Sequence, residues 1–120
     1  QVIKKLRMMG IQAFYCDATD TRSLMEFDLG KASMILSTIP DVNDNLSIWH
    51  YICINSKKVK PKFICLARSF LEADVLYAAK VNLVLNPYVS VANDFVSVIQ
   101  AKNKSKVLKD YRAIYQELGK

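Results

Sequence analysis

The residues of this chain that could do chemistry stand where apolar runs stop. In "FYCDATD", residues 14–20, an aromatic and thiol stretch gives way to Asp17 and Asp20. Similar switches occur at Ser37-Thr38-Ile39-Pro40-Asp41, at Ala67-Arg68-Ser69 and at Asn86-Pro87. Carboxylate, hydroxyl, guanidinium and amide groups gathered in this way suit hydrogen bonding to a polar ligand. No nucleophile stands beside a general base in the sequence, so acid–base or covalent catalysis is not indicated. Cys16, Cys53 and Cys65 are odd in number and each lies in an apolar segment, which reads as reduced core thiols of a cytosolic protein. The one histidine, His50, has no cysteine or carboxylate at metal-ligand spacing and reads as a packed or surface helix residue.

Such groups need elements to position them. Residues 1–9 carry helical spacing, with Val2, Ile3, Leu6 and Met9 on one face and Gly10 as punctuation. Residues 11–16 read as a short strand. Asp20 caps a helix over about residues 20–28 that turns Leu24, Met25 and Leu29 inward and ends at Gly30. Residues 32–38 are apolar in their middle, as in a strand covered on both faces. "DVNDN" leads into a helix with Leu46, Trp49, Ile52 and Cys53 inward, closed by Lys57, Lys58 and Lys60. After it come a strand at 62–68, a helix at 69–80, a strand at 81–85, a turn at 86–90 and a helix at 91–101.

The alternation repeats about every 25 residues, which predicts an α/β fold: a Rossmann-like parallel sheet with right-handed crossovers and helices on both faces. Ligands of such sheets lie beyond the carboxyl ends of the strands, where the polar residues collect. Residues 102–120 read as a separate basic amphipathic helix, with Val107, Leu108, Tyr111, Ile114, Tyr115 and Leu118 at helical spacing. It packs on its own domain or a neighbour, or presents lysines to an acidic partner or a membrane surface. The chain thus divides into 1–101 and 102–120.

Composition sets bounds. A chain of 120 residues, 52% apolar, has the make-up of one packed domain. Its longest apolar runs, about six residues, fall far short of the roughly 20 needed to cross a bilayer. The formal net charge of +6 is spread over helix ends and the tail without aromatic interleaving, which argues against nucleic acid as a partner. The sequence opens at Gln1 in the middle of a helical pattern, so the expectation is a fragment of a longer protein.

The order "CDATD", "KASMILSTIPDVNDNL", "PKFICLARS" and "NLVLNP" resembles the regulatory nucleotide-binding domain of potassium channels and transporters, the RCK, KTN or TrkA-N family. Asp17-Ala18-Thr19, Lys31-Ala32-Ser33, Thr38 and Asn45-Leu46 match its pattern over about residues 1–100. "STIPD" is most similar to domains attached to Kef-type proton-coupled antiporters. The resemblance implies a non-catalytic regulatory domain rather than an enzyme. It also implies that the segment carrying the family's glycine turn is missing from the amino-terminal side, since Gly10, Gly30 and Gly119 cannot build that turn.

Residue by residue, the resemblance implies that Asp17 accepts from an adenine amino group and that Ala18 lets the base approach. Thr38 and Ile39 border the glycine turn, and Arg68 is directed towards phosphate. Cys16 replaces the usual glycine before the acid. NAD or ATP would bind the full-length parent, with no cofactor held by this fragment. Read without the resemblance, Asp17 caps a turn, Asp41 and Asn43 cap a helix, and Arg68 is an exposed charge. The competing function is a fragment of an S-adenosylmethionine-dependent methyltransferase, for which an antiparallel strand after the last helix would speak.

Topology sets an expectation for assembly. In the strand order 3-2-1-4-5-6, residues 11–16 are third and 32–38 fourth, with two absent strands between them. Either 11–16 pairs directly with 32–38 in a four-stranded sheet, or a second copy supplies the contact. A homodimer that draws in Tyr111, Ile114 and Leu118 is expected, next to a membrane transport subunit or a transmembrane domain of the same protein. The place would be the cytoplasm or the cytoplasmic face of the membrane.

Overall fold

A computed structural model describes residues 2–119 of the chain. Helix α1 (Val2–Met8) ends at Gly10, whose φ of +78° is the left-handed conformation that glycine adopts without a Cβ penalty. The strand expected at 11–16 does not form. An extended segment becomes a strand only against a hydrogen-bonding neighbour, and none lies alongside among the described residues. Instead, Arg7 Nε donates to the Ala13 carbonyl at 2.9 Å, and Phe14 packs edge-on against Phe27 with centroids 5.3 Å apart. With no strand to carry it inward, Cys16 is exposed, contrary to the core position expected.

Helix α2 (Thr21–Met25) starts at Asp20, whose carboxylate accepts from the Arg22 N–H at 3.1 Å. It stops short of the expected span and a 3₁₀ turn (Leu29–Lys31) succeeds it, so Leu24 is buried while Met25 is exposed. Strand β1 (Met34–Leu36), helix α3 (Val42–Asn55), strand β2 (Lys62–Leu66), helix α4 (Phe70–Ala78) and strand β3 (Leu83–Leu85) then alternate. Residues 87–90 are not a turn. The Asn86 carbonyl Oδ1 accepts from the Tyr88 N–H at 2.9 Å and Pro87 takes the first helical position, so helix α5 runs over Pro87–Gln100. Helix α6 (Lys104–Leu118) forms as the tail pattern predicts.

The described strands form one parallel sheet in the order β1-β2-β3, with Ile35 opposite Phe63 and Cys65 opposite Val84. The pairing of 11–16 with 32–38 is not made, and the outer edge of β1 carries no strand among the described residues. Period-two alternation sends Phe63, Cys65 and Ala67 to one face, where all three are buried. Ile48, Trp49 and Ile52 from α3 and Leu76 from α4 close over them. The Trp49 ring stacks on Phe63 at a centroid distance of 5.7 Å, and its Nε1–H donates to the Ala79 carbonyl at 2.7 Å, tying α3 to the end of α4. On the opposite face Met34, Leu36, Leu83 and Leu85 stay between 41% and 67% exposed.

Helices α5 and α6 form a projecting hairpin, joined by a Tyr111 hydroxyl donating to Asp94 at 2.9 Å, and none of their residues is buried. The radius of gyration, 17.7 Å, exceeds the roughly 14 Å expected of a compact chain of this length.

Core burial pushes the Cys65 thiol up to about 11, so almost none of it is thiolate at neutral pH. Iodoacetamide at neutral pH should therefore modify Cys16 readily and leave Cys65 intact until denaturant is added. Mass-spectrometric mapping of the modified cysteines checks this, and equal labelling of the two under native conditions would contradict the buried position of Cys65.

Candidate ligand crevice at the strand ends

Ladder bonds continue past the last strand residues. The Ser37 N–H donates to the Ile64 carbonyl at 2.8 Å and the Ala67 N–H to the Leu85 carbonyl at 3.0 Å. The three loops after β1, β2 and β3 therefore leave the sheet side by side. Each leads at once into a helix, so the amino termini of α3, α4 and α5 open along the same edge, an environment that favours anionic groups.

The fastening of this edge is Asn45, a fully buried polar residue in the first turns of α3. Its Nδ2 donates to the Ile39 carbonyl at 2.8 Å and to the Leu66 carbonyl at 3.4 Å, while its Oδ1 accepts from the Ser37 hydroxyl at 2.6 Å. One amide thus joins the loop after β1 to the end of β2. Thr38, exposed, and Ile39, packed partly against the core, sit on the loop that it holds. Asp41 caps α3, accepting from the N–H groups of Asn43 at 2.8 Å and Asp44 at 3.1 Å.

Arg68 stands two residues past Leu66. Its guanidinium meets Glu72 at 3.0 Å and its backbone N–H donates to the same carboxylate at 2.8 Å, while the Ser69 hydroxyl accepts from the Glu72 N–H at 3.2 Å and caps α4. Hydrogen bonding and charge from Glu72 raise the Arg68 pKa above its ordinary value, with smaller contributions from Asp41, the cap of α3, and Tyr88 in the first turn of α5. The two bonds from Arg68 hold the Glu72 carboxyl below its usual range. Thr38, Ile39 and Arg68 are thus gathered on one edge.

Asp17 is organised separately. Its Oδ1 accepts from the Thr19 hydroxyl at 2.7 Å and from the Thr19 N–H at 2.9 Å, an Asx turn whose bonds lower the carboxyl pKa. Ala18 packs partly against the core and moors this turn. Among the described residues no hydrogen bond or ion pair links Asp17 to the strand-end residues. Sequence reasoning uses Asn45 as a motif position but misses it as the fastening of the edge. The available signal is an asparagine in the inward stripe of a helix, three residues before Ile48. No group of three or more His, Cys, Asp or Glu among the described residues could hold a metal ion.

A parallel three-stranded sheet with βα units and a polar carboxyl edge defines a Rossmann-like α/β domain of the nucleotide-binding kind. More narrowly, residues 1–87 match the TrkA-N domain, and the chain belongs to that family. TrkA-N domains are typical of the regulatory domains of potassium transport proteins, are generally non-catalytic, and typically bind NAD(H). The crystal structure of the TrkA-N domain of the inner membrane protein YbaL from Escherichia coli aligns with a TM-score of 0.69 at 18% identity. The alignment covers 82% of this chain and 72% of that one, a likeness of fold. No curated protein matches the chain. No helix among the described residues is long and apolar enough to cross a membrane.

Replacing Asn45 by Ala leaves the Ser37 hydroxyl and two carbonyls without their partner, so the expected loss is about 2–3 kcal/mol of unfolding free energy. Urea denaturation measures it. Asn45→Asp should cost more, because a carboxylate cannot donate to the Ile39 and Leu66 carbonyls. Unchanged midpoints in both variants would remove Asn45 from its role.

Proposed function

We propose that the chain is a non-catalytic ligand-sensing domain of a potassium or other monovalent cation transport system, such as a cation:proton antiporter. The observation that carries this reading is the family match over residues 1–87 on a chain whose strand ends gather Thr38, Ile39 and Arg68 beneath three helix amino termini. The ligand favoured is an adenine nucleotide, NAD or ATP. Asp17 and Ala18 receive the base, Thr38 and Ile39 line its approach, and Arg68 faces phosphate. Binding rather than proton transfer is supported by the engagement of the candidate carboxylates: Asp41 as a helix cap and Glu72 with Arg68 on this edge, and Asp17 with Thr19 apart from it. A methyltransferase fragment is disfavoured, because α6 is a helix where that reading asks for an antiparallel strand.

The route from ligand to transporter runs through the fastened loops. A nucleotide drawing Arg68 or Thr38 towards it pulls on two segments that Asn45 joins to α3, and the β3–α5 junction at Asn86 lies on the same edge. The α5–α6 hairpin, projecting and apolar at Phe95, Ile99, Ile114 and Leu118, then carries the displacement to a second copy or to a transmembrane partner at the cytoplasmic face.

Three measurements test this. In calorimetry the 120-residue chain should bind NADH or ATP no tighter than about millimolar, since no glycine turn in it supplies diphosphate contacts. In the intact transport protein Asp17→Asn should weaken nucleotide binding by about tenfold, the worth of one charge-assisted bond; an unchanged affinity would leave Asp17 a turn cap only. Sedimentation equilibrium at micromolar concentration should show a dimer that Ile114→Asp and Leu118→Asp dissociate, and a monomeric wild type would overturn the self-association.

A further inference from the structure

The opposite end of the sheet, where the strands begin, holds a second feature. A cleft of about 690 Å³ lies between the 3₁₀ turn, the end of α3 and the start of β2, lined by Lys31, Lys57, Lys58, Lys60 and Lys62 with Asp28 as its one carboxylate. Five lysines against one acid account for most of the formal net charge of +6. Asp28 is engaged by Lys31 at 2.6 Å, and none of the other four lysines has an ion-pair partner among the described residues.

The walls are built rather than frayed. Gly30 packs so closely on the end of α3 that a Cβ there would stand 3.0 Å from the Asn55 carbonyl oxygen. The Lys62 N–H donates to the Ser33 carbonyl at 3.1 Å, and Pro61 is fully buried, so the lysine loop is pinned at its base. Compensation of the α3 dipole does not explain the cluster. A helix carboxyl end carries roughly half a negative charge, which a single lysine offsets. The remaining four lysines are exposed around one cleft with no carboxylate partner among the described residues, which leaves a positive field that an anion would neutralise.

We propose that this cleft binds a phosphate-bearing polyanion, either a free oligophosphate or the headgroups of an anionic lipid surface. Its volume falls within the range of small-molecule sites, and lysines act on phosphate as compact, mobile point charges. Val59, 81% exposed between Lys58 and Lys60, supplies the apolar tip that a membrane surface would accept. The cleft is at the far end of the sheet from the nucleotide crevice, so it neither uses that site nor depends on it.

The test uses the full chain at low ionic strength, with inorganic tripolyphosphate in calorimetry and vesicles in flotation. One vesicle set contains phosphatidylglycerol in phosphatidylcholine and the other phosphatidylcholine alone. The triple variant Lys57→Gln, Lys58→Gln, Lys60→Gln should bind about 100-fold more weakly. A triple of equal charge change on α6, Lys104→Gln, Lys106→Gln, Lys109→Gln, should stay within about threefold of wild type. Tripolyphosphate binding without flotation assigns a free ligand; flotation that Val59→Ser weakens assigns the lipid surface. The proposal is overturned if neither probe binds, or if both triples lose affinity equally, which would make the effect one of net charge. No arm of this test uses a nucleotide or the strand-end crevice, so a failure here is distinct from a failure of the nucleotide reading.

Discussion

Asn45 has no access to solvent, and its amide is bonded on every side that faces a strand end. A polar group in that position costs several kcal/mol if left unpaired, so α3 can seat only in the rotation that satisfies it. That rotation carries Trp49, one turn further on, over the Phe63 ring, and Trp49 in turn reaches the Ala79 carbonyl beyond α4. The apolar core is therefore in register with the polar edge because one helix serves both.

The rest of the molecule is one-sided. Parallel sheets are usually covered on both faces, yet here α3 and α4 close one face while the leucines of the other meet solvent. The projecting hairpin adds more unburied apolar surface. Stability thus rests on the packing between β2, α3 and α4, and anything that covers the open face or the hairpin in an assembly adds to it by mass action.

The alternation of strands and helices, the parallel sense and the terminal helix are legible in the sequence because hydrophobic period and cap residues act locally. Asp20 and Asp41 each bond the amides that their positions predict, whereas Ser69, read as part of the helix, is the cap before it. Residues 11–16 mislead because a strand is a property of two segments, and no periodicity within one reports whether the other lies beside it. Cys16 shares that error, its core position having depended on the strand. Asn86-Pro87 misleads for another reason: the same dipeptide opens turns and helices, and the distinction lies in whether the residues after it sustain a helical period. Thr38, Ile39 and Arg68 follow strands as the topology places them, while Asp17, whose strand does not form, follows none, and the Asn45 bonds span up to 21 positions of sequence and leave no local trace. The lysine cleft is half visible as a basic helix end, but its far wall at Gly30 and Lys31 comes from a different part of the chain.

The stacked indole has a consequence of an optical kind. Trp49 is the one tryptophan in the chain, and it lies where α3, β2 and α4 meet. Intrinsic fluorescence excited at the indole band is thus a single-site signal rather than an average: its wavelength records whether water has reached the core. Because Asn45 stands one helical turn away on the same helix, the emission also registers any loosening of the strand-end loops that reaches α3. Movements confined to the α5–α6 hairpin leave it silent, so the chain carries a natural optical separation between its packed half and its projecting half.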